Sequence, residues 1–399
     1  MSRIELEIAI EVLIKHTRQQ NKTKLIHLNA AVNHHISQDI YASTNVPNFN
    51  RAAMDGYAVK ALSTKCASKN KPIKLKVGGT LFAGDYLSDT DAQAFRIMAG
   101  AAIPNGYDAV IKQEDTDLGE SEVLIYDEVK PYTNYAKIGE DIKKDELIIK
   151  QYTRLTPYHI GILASLGMNE IEVLQPLKVG LISSGSELIT PDEELPDGHI
   201  YDSNRYVLAS RLQEMNVEVI LNRHINDKIS DMVDLISTQI SQVDMIITTG
   251  GVSVGEKDIM PEAMEKLSAK RLFWGIKIRP GTPALANIYQ DKLVLSLSGN
   301  PFAALTTFEL LFRPALAKIM QNNYYLPRRK KATLMNDFDK SSTQRRFVRA
   351  YCEDGQVYLP TNEHASSVLS SMIDCNCFID IKTDSKPMNA GSIVEIVVI

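Results

Sequence analysis

Five acidic residues occupy turn-like text where a carboxylate could do chemistry: Asp55 in AMDGYA, Asp141 in GEDI, Glu187 in SSGSEL, Asp227 in HINDKI and Asp258 in GEKD. Aspartate favours turns and caps for local reasons, so each one alone says little. Their neighbours say more. Three times between Leu177 and Met320 an apolar strand runs into a glycine- or serine-rich turn and then a helix: LKVGLISSGSEL, DMIITTGGVSVGEKD and KLVLSLSGNPFAALTTF. In an open parallel sheet such turns emerge together at the carboxyl ends of the strands, where free N–H groups and helix N-termini suit a phosphorylated ligand. With Glu187, Glu256 and Asp258 among those turns, carboxylates stand beside a phosphate cradle, an arrangement that holds Mg²⁺ through oxygen ligands. The expected chemistry is hydrolysis or group transfer at a phosphoanhydride.

Opposite charge is supplied by IKIRPGTPA, where a strand would send Lys277 and Arg279 to one side just before the Pro280-Gly281 turn. Arg279 can fork onto an oxyanion, and Arg349 and Ser366 offer further donors in the C-terminal part. Other chemistries are disfavoured. SSGSEL lacks the G-x-S-x-G elbow, and the eight histidines show no triad or ligand spacing. GGVSVG is not followed by the Lys-Ser or Lys-Thr of a Walker motif, and no G-x-G-x-x-G is present.

The elements that must position these residues fall into several domains, because 399 residues exceed what one core usually supports. The N-terminus reads as an amphipathic helix rather than a signal. PIKLKVGG, AQAFRIMAG, AVIKQEDTD and SEVLIYDEV read as short strands of a β-rich unit. A helix should open near Pro157 and end at Gly167. The following 150 or so residues alternate strand and helix, with Asp202 and Ser203 as N-cap candidates and DMIITT as a strand covered on both faces. NNYYLPRRKKATL reads as a solvated linker, and the text beyond it as antiparallel strands of a small barrel or sandwich.

A formal net charge of −5 lacks the basic excess of a nucleic-acid binder, and no run approaches the ~18 apolar residues of a membrane span. The expected protein is soluble and cytoplasmic, with no nucleic-acid or membrane partner. Its four cysteines are too few for a disulfide framework, and Cys375 and Cys377, on one face of an expected strand, read as ordinary core or surface thiols.

At these same residues the chain resembles the molybdopterin molybdenumtransferase family, the MoeA proteins and the gephyrin E domain. The likeness runs through AAMDGYAV, RIMAGAAIPNGYDAVIKQEDT, GEDI, HIGILASLGMNEIEV, HIYDSNRYVL, TTGGVSVGEKD, FWGIKIRPGTPA, LSGNPFAALTTFELLFRPAL and GSIVEIVV. It implies a multidomain α/β and β fold. A discontinuous domain I would span 1–45 and 134–173, and a β-rich domain II carrying MDGYA would span 46–133. A three-layer, MogA-like α/β domain III with a parallel-rich sheet would span 174–325, and a C-terminal β-barrel domain IV 326–399.

The resemblance further implies an elongated homodimer that inserts molybdate into adenylylated molybdopterin with Mg²⁺-dependent release of AMP, and contact with the adenylyltransferase that makes this pterin nucleotide. Asp55 would act across the dimer interface, with Asp141 and Asp227 assisting. Glu187 and Asp258 would bind metal and the adenylyl phosphate region. Gly250, Gly251, Ser253 and Gly255 would cradle the pterin nucleotide, Arg279, Arg349 and Ser366 would line the molybdate pocket, and Lys277, Ser298, Gly299 and Asn300 would complete the cofactor-binding set.

Departures from the family pattern fall at Ala99, Ser186, Gly275, Arg279, Thr282 and Ser298, where a hydroxyl, a carboxylate, lysines and a proline are usual. Lost cationic donors should weaken oxyanion binding by about 1–3 kcal/mol per charge-assisted hydrogen bond. Lys277 is the residue placed to compensate. The alternative reading is therefore a weakened paralogue that binds molybdopterin as a scaffold protein.

Overall fold

A computed structural model describes every residue except 1–2, 89, 254, 256–257 and 361–364, so Glu256 of the second turn lies outside the described residues. The chain divides into two compact units, one made of Leu25–Val32 and Gln38–Ile171, the other of Met1–Lys24, Asn33–Ser37 and Glu172–Ile399. Helix α1 (Leu6–His16) buries Leu6, Ala9 and Leu13, the three- and four-residue spacing of one helical stripe.

The first of these units carries the expected short strands: β1 (Gly56–Val59), β2 (Ile73–Leu81), β3 (Ala94–Ile97), β4 (Ala109–Lys112) and β5 (Glu122–Ile125). They form one sheet in the order β4-β1-β3-β2-β5. All four residues of β1 are buried, and a Cβ at Gly56 would stand 1.8 Å from the Ile111 carbonyl oxygen, so MDGYA needs its glycine for close backbone approach. Helix α2 (Pro157–Ser165) starts with a capping box between Thr156 and His159 and Pro157 in its first turn, and the chain leaves it at Gly167 with φ +76°.

The other unit holds a six-stranded sheet. Along the chain come β6 (Lys178–Ser184), α3 (Ser203–Glu214), β7 (Glu218–Ile225), α4 (Ile229–Gln239), β8 (Met245–Thr249), α5 (Met260–Lys266), β9 (Lys270–Trp274), β10 (Leu285–Tyr289), β11 (Lys292–Leu297) and α6 (Pro301–Thr307). The order is β7-β6-β8-β11-β10-β9; the first four strands are mutually parallel, β10 pairs antiparallel with β11, and β9 pairs antiparallel with β10. Every residue of β8 is buried, which accounts for its unbroken apolar text. Asp202 caps α3 by accepting from the Arg205 N–H.

One turn differs from its sequence reading. β6 does not pass straight into a helix: two-residue parallel strands, Leu188–Ile189 and Ile200–Tyr201, intervene before α3. Pro191, Pro196 and Gly198 interrupt helical backbone throughout that stretch, and the helix begins after Asp202, whose side chain caps it.

The C-terminal part is a closed five-stranded barrel of β12 (Arg328–Leu334), β13 (Arg345–Glu353), β14 (Gln356–Tyr358), β15 (Cys377–Ile381) and β16 (Ile393–Val398), in the cyclic order β13-β14-β12-β16-β15. The pairing of β12 with β14 is parallel, against the expectation of an all-antiparallel arrangement. The expected basic linker is also corrected, because RRKK is the exposed half of β12. Four successive cations hide the alternation that marks a strand. The carboxylates that neutralise Arg329, from Asp380 and Glu395, are 51 and 66 residues away in sequence. Cys377 opens β15 and Cys375 precedes it, so the two do not share a strand face. Both are free thiols, and burial pushes Cys375 up to about 11 and Cys377 up to about 12. They stay protonated near neutral pH.

Candidate active site

The order of the α/β sheet reverses between β6 and β8: the chain leaves β6 for β7 on one side and then crosses to β8 on the other. A crevice opens outside the carboxyl ends of strands at such a switch point. Here it is a cavity of about 720 Å³ bordered by Ser184 and Gly185 after β6, by Thr249, Gly250 and Gly251 after β8, and by Ser298, Gly299 and Asn300 after β11. All three turns singled out in the sequence therefore meet.

Local backbone makes that meeting possible. Gly250 and Gly251 adopt φ of +91° and +61°, and a Cβ on Gly250 would lie 2.2 Å from the Ser184 carbonyl oxygen. Asn204, in the first turn of α3, ties the turns together: its Nδ2 donates to Thr249 Oγ1 at 3.0 Å and to the Gly299 carbonyl at 2.7 Å. Thr249 Oγ1 in turn donates to the Ser298 carbonyl at 2.9 Å. Asp202, which also lines the crevice, accepts from Ser183 Oγ at 2.5 Å and from Arg205 Nε at 2.8 Å. Asp202 was legible as a helix N-cap only, and nothing local marks Asn204 as a brace between turns.

Glu187, Asp227 and Asp258 line this crevice. The Asp258 carboxylate closes its own loop, accepting the Ser253 N–H at 2.8 Å and the Gly255 N–H at 2.5 Å. Asp227 accepts the Ser186 N–H at 3.0 Å, and its Ser186 Oγ contact is 3.4 Å. The Glu187 carboxylate is exposed and makes no hydrogen bond among the described residues. Ser184 Oγ and Asn204 Oδ1 are buried at the crevice with no partner among the described residues. That unmet capacity is what a polar ligand or bound water would satisfy. Among the described residues no three His, Cys, Asp or Glu side chains gather to hold a metal by themselves. Gly255 does not border the cavity; its part is the N–H it donates to Asp258.

A second cavity, of about 350 Å³, shares Ser298 and Asn300 with the crevice. It is lined by Arg279, Arg349 and Ser366 as the sequence suggests, and also by Lys340 and Arg346, which sequence reasoning missed. No carboxylate lines it among the described residues. Arg349 is fully buried. Its guanidinium donates to the Val368 carbonyl, to the Ala365 carbonyl at 2.5 Å and to Ser371 Oγ at 2.6 Å, and it lies 3.9 Å from the centre of the Phe302 ring. Burial draws its pKa below the ordinary guanidinium value, and its Nε has no partner among the described residues. The Ser366 carbonyl accepts the Phe302 N–H at 3.0 Å, fixing the start of α6 against this wall.

Lys277 is a correction. It forms an ion pair with Glu5 at 2.7 Å and lines neither cavity. The two-residue strand begins at Ile278, so alternation from Lys277 to Arg279 does not apply. Asp55 and Asp141 belong to the other compact unit. There Asp55 Oδ1 accepts the Ala99 N–H at 2.7 Å, a backbone contact for which the side chain at 99 is irrelevant, and Asp141 is exposed in a turn with its N–H donated to the Val46 carbonyl at 3.0 Å.

Residues 4–167 match the MoeA N-terminal region (domain I and II), residues 180–318 a probable molybdopterin binding domain, and residues 331–399 the MoeA C-terminal region (domain IV). A molybdopterin molybdenumtransferase of Haemophilus influenzae is 35% identical over 383 residues, covering 94% of this chain and 93% of that protein. One from Staphylococcus epidermidis is 31% identical over 398 residues, covering 98% and 95%. The crystal structure of a molybdopterin biosynthesis MoeA protein from Pyrococcus horikosii superposes with a TM-score of 0.86 at 29% identity, over 100% of this chain and 99% of that one.

Proposed function

The chain belongs to the molybdopterin molybdenumtransferase family, and from that premise we propose that it works in molybdenum cofactor biosynthesis, inserting molybdate into adenylylated molybdopterin with Mg²⁺-dependent release of AMP. The observation that carries this reading is the adjacency of two unlike cavities: an amide- and carboxylate-lined crevice of nucleotide size and a cationic cavity that meets it at Ser298 and Asn300.

The crevice suits a pterin nucleotide. Backbone around Gly250, Gly251 and Gly299 approaches without side-chain obstruction, and Ser184 Oγ and Asn204 Oδ1 wait for polar partners. Its donor set also fits Mg²⁺, since Glu187, Asp227 and Asp258 present only hard oxygen ligands and one or two carboxylates suffice when phosphate oxygens and water complete the shell. Glu187 and Asp258 are the residues that would hold the ion. When bound, Mg²⁺ supplies charge neutralisation at the phosphoanhydride. Asp258 keeps the 253–255 loop in shape through its two N–H contacts, and Asp227 orients the turn at Ser186. Arg279, Arg349 and Ser366 belong to the side on which the oxyanion substrate would sit. The proposal includes a cytoplasmic homodimer in which Asp55 acts from a partner copy, with Asp141 assisting. No helix among the described residues is long and apolar enough to cross a membrane.

Purified protein incubated with adenylylated molybdopterin should release AMP only when Mg²⁺ and molybdate are both present. No release above background, under conditions where a family enzyme works, removes this reading. A second reading, binding of molybdopterin without insertion, draws support from two positions that offer no free donor: Lys277 is held by Glu5, and the Thr282 hydroxyl donates to the Ile278 carbonyl at 2.6 Å. Restored molybdoenzyme activity in a strain lacking its own transferase would contradict it.

A further inference from the structure

The strand Ile278–Arg279 lies parallel to the start of β13, with Ile278 opposite Arg345 and Arg279 opposite Arg346. Residues directly opposed on paired strands project to the same face, and successive residues to opposite faces. Arg279 and Arg346 therefore stand side by side, while Arg345 faces away from them.

The surroundings of these arginines differ sharply. Arg345 is neutralised: its Nε and Nη2 reach Asp380 at 2.8 and 2.6 Å, and its Nη1 reaches Glu7 at 2.5 Å. Arg279 has a neutral partner, Gln344 Oε1, at 3.0 Å from its Nε. Arg346 makes no side-chain hydrogen bond or ion pair among the described residues, although it is half-buried. Both line the cavity of about 350 Å³, along with Lys340. Like charges directly opposite one another on a sheet are destabilising, and here no carboxylate among the described residues lines the cavity to offset them. Two guanidinium forks side by side match the several oxygens of a tetrahedral anion.

We propose that Arg346 and Arg279 form a two-arginine clamp for the tetrahedral oxyanion substrate, with Lys340 as a third cation at the same cavity. The inference rests on the function proposed above, in which that substrate is molybdate, and it deepens it by naming the residues that set anion affinity. Ser298 and Asn300 line both cavities, so an anion in the clamp abuts the nucleotide crevice.

The test is calorimetric titration of the full chain with sodium molybdate, joined to thermal unfolding and to the AMP-release assay, for the parent and for Arg346→Gln, Arg346→Lys and Lys340→Gln. Without molybdate, Arg346→Gln should unfold at the parent's temperature or above it, because a like-charge pair is relieved. Its molybdate affinity should nevertheless fall at least about tenfold, the factor that matches one lost charge-assisted hydrogen bond. KM for molybdate should rise by the same factor, with kcat and KM for the pterin nucleotide within about twofold of the parent. Arg346→Lys should recover part of the affinity, and Lys340→Gln should lose less than Arg346→Gln.

A folded Arg346→Gln protein with parental molybdate affinity overturns the clamp, as does a lowered unfolding temperature with equal losses for both substrates. If the parent binds molybdate through Arg346 yet releases no AMP, the clamp stands and the proposed reaction falls. If the parent turns over and Arg346→Gln is indistinguishable from it, the reaction stands and the clamp falls.

Discussion

The crevice at the end of the parallel sheet and the cavity beside it share Ser298 and Asn300, yet they recognise charge in opposite ways. The crevice carries Glu187, Asp202, Asp227 and Asp258 with no lysine, arginine or histidine among its described lining residues; the cavity carries Arg279, Lys340, Arg346 and Arg349 with no carboxylate among its own. In the proposed reaction a phosphoanhydride placed against these carboxylates would be repelled unless a cation stood between them, so that reading asks the crevice for backbone amides and a divalent ion. The neighbouring cavity needs no ion, because fixed guanidinium groups supply the charge. Under the proposed function, two anionic substrates would occupy adjoining spaces without competing for the same groups.

The largest expected effect tests the cationic side. Arg349→Ala removes three hydrogen bonds, to the Val368 and Ala365 carbonyls and to Ser371 Oγ, together with the contact with Phe302, so urea unfolding should show a loss of about 3 kcal/mol or more. An unchanged midpoint would mean that this buried cation is dispensable to the wall of the cavity. On the crevice side, Asp258→Asn keeps one acceptor oxygen and replaces the other by an amide, leaving an N–H of Ser253 or Gly255 unpaired. Nucleotide binding followed by calorimetry should weaken about 10- to 100-fold while molybdate affinity holds, and a parallel loss of both would erase the division of labour.

A smaller effect is expected from Gly250→Ala, which places a Cβ against the Ser184 carbonyl on left-handed backbone. Thermal unfolding should report a cost of about 1–3 kcal/mol, with the basic cavity still binding molybdate. Asp380, on β15, neutralises Arg345 on the strand that bears Arg346. Burial by itself would raise the Asp380 carboxyl, but hydrogen bonds from Arg345 and Arg329 outweigh it and lower the group from 3.8 to about 2. Its native pKa lies below its unfolded one, so its contribution of about 2 kcal/mol is complete above roughly pH 4 and is lost as the pH falls toward 2. Acid titration of stability should show that loss, and Asp380→Asn should lack it.

Much of the crevice was legible because each of its parts is a local signal. SSGSEL, TTGGVSVG and LSGNP each announce a strand end followed by permissive backbone, and parallel pairing of β6, β8 and β11 does the rest. The basic cavity was harder to read. Arg346 sits in QRRFVRA beside Arg345, and nothing in that text says which arginine is neutralised and which is left free. RRKK misled for a similar reason, since a strand whose exposed half is all cationic loses its alternation and resembles a solvated tract. Lys277 misled in the other direction: its charge suggested the cavity, and a salt bridge to Glu5 at the far end of the chain diverted it.

By themselves the residues decide backbone within a few positions of each other. They open α2 at Pro157 and close it at Gly167, cap α3 with Asp202, and allow the left-handed backbone at Gly250. Charge pairing between distant segments is another matter, because it depends on which residues a strand register sets opposite one another. Arg279 opposite Arg346, the ion pairs of Asp380 with Arg345 and Arg329, and three turns closing on one crevice exist only once the sheet and barrel have formed. Electrostatic energy falls with separation in space, and separation along the chain does not reveal it.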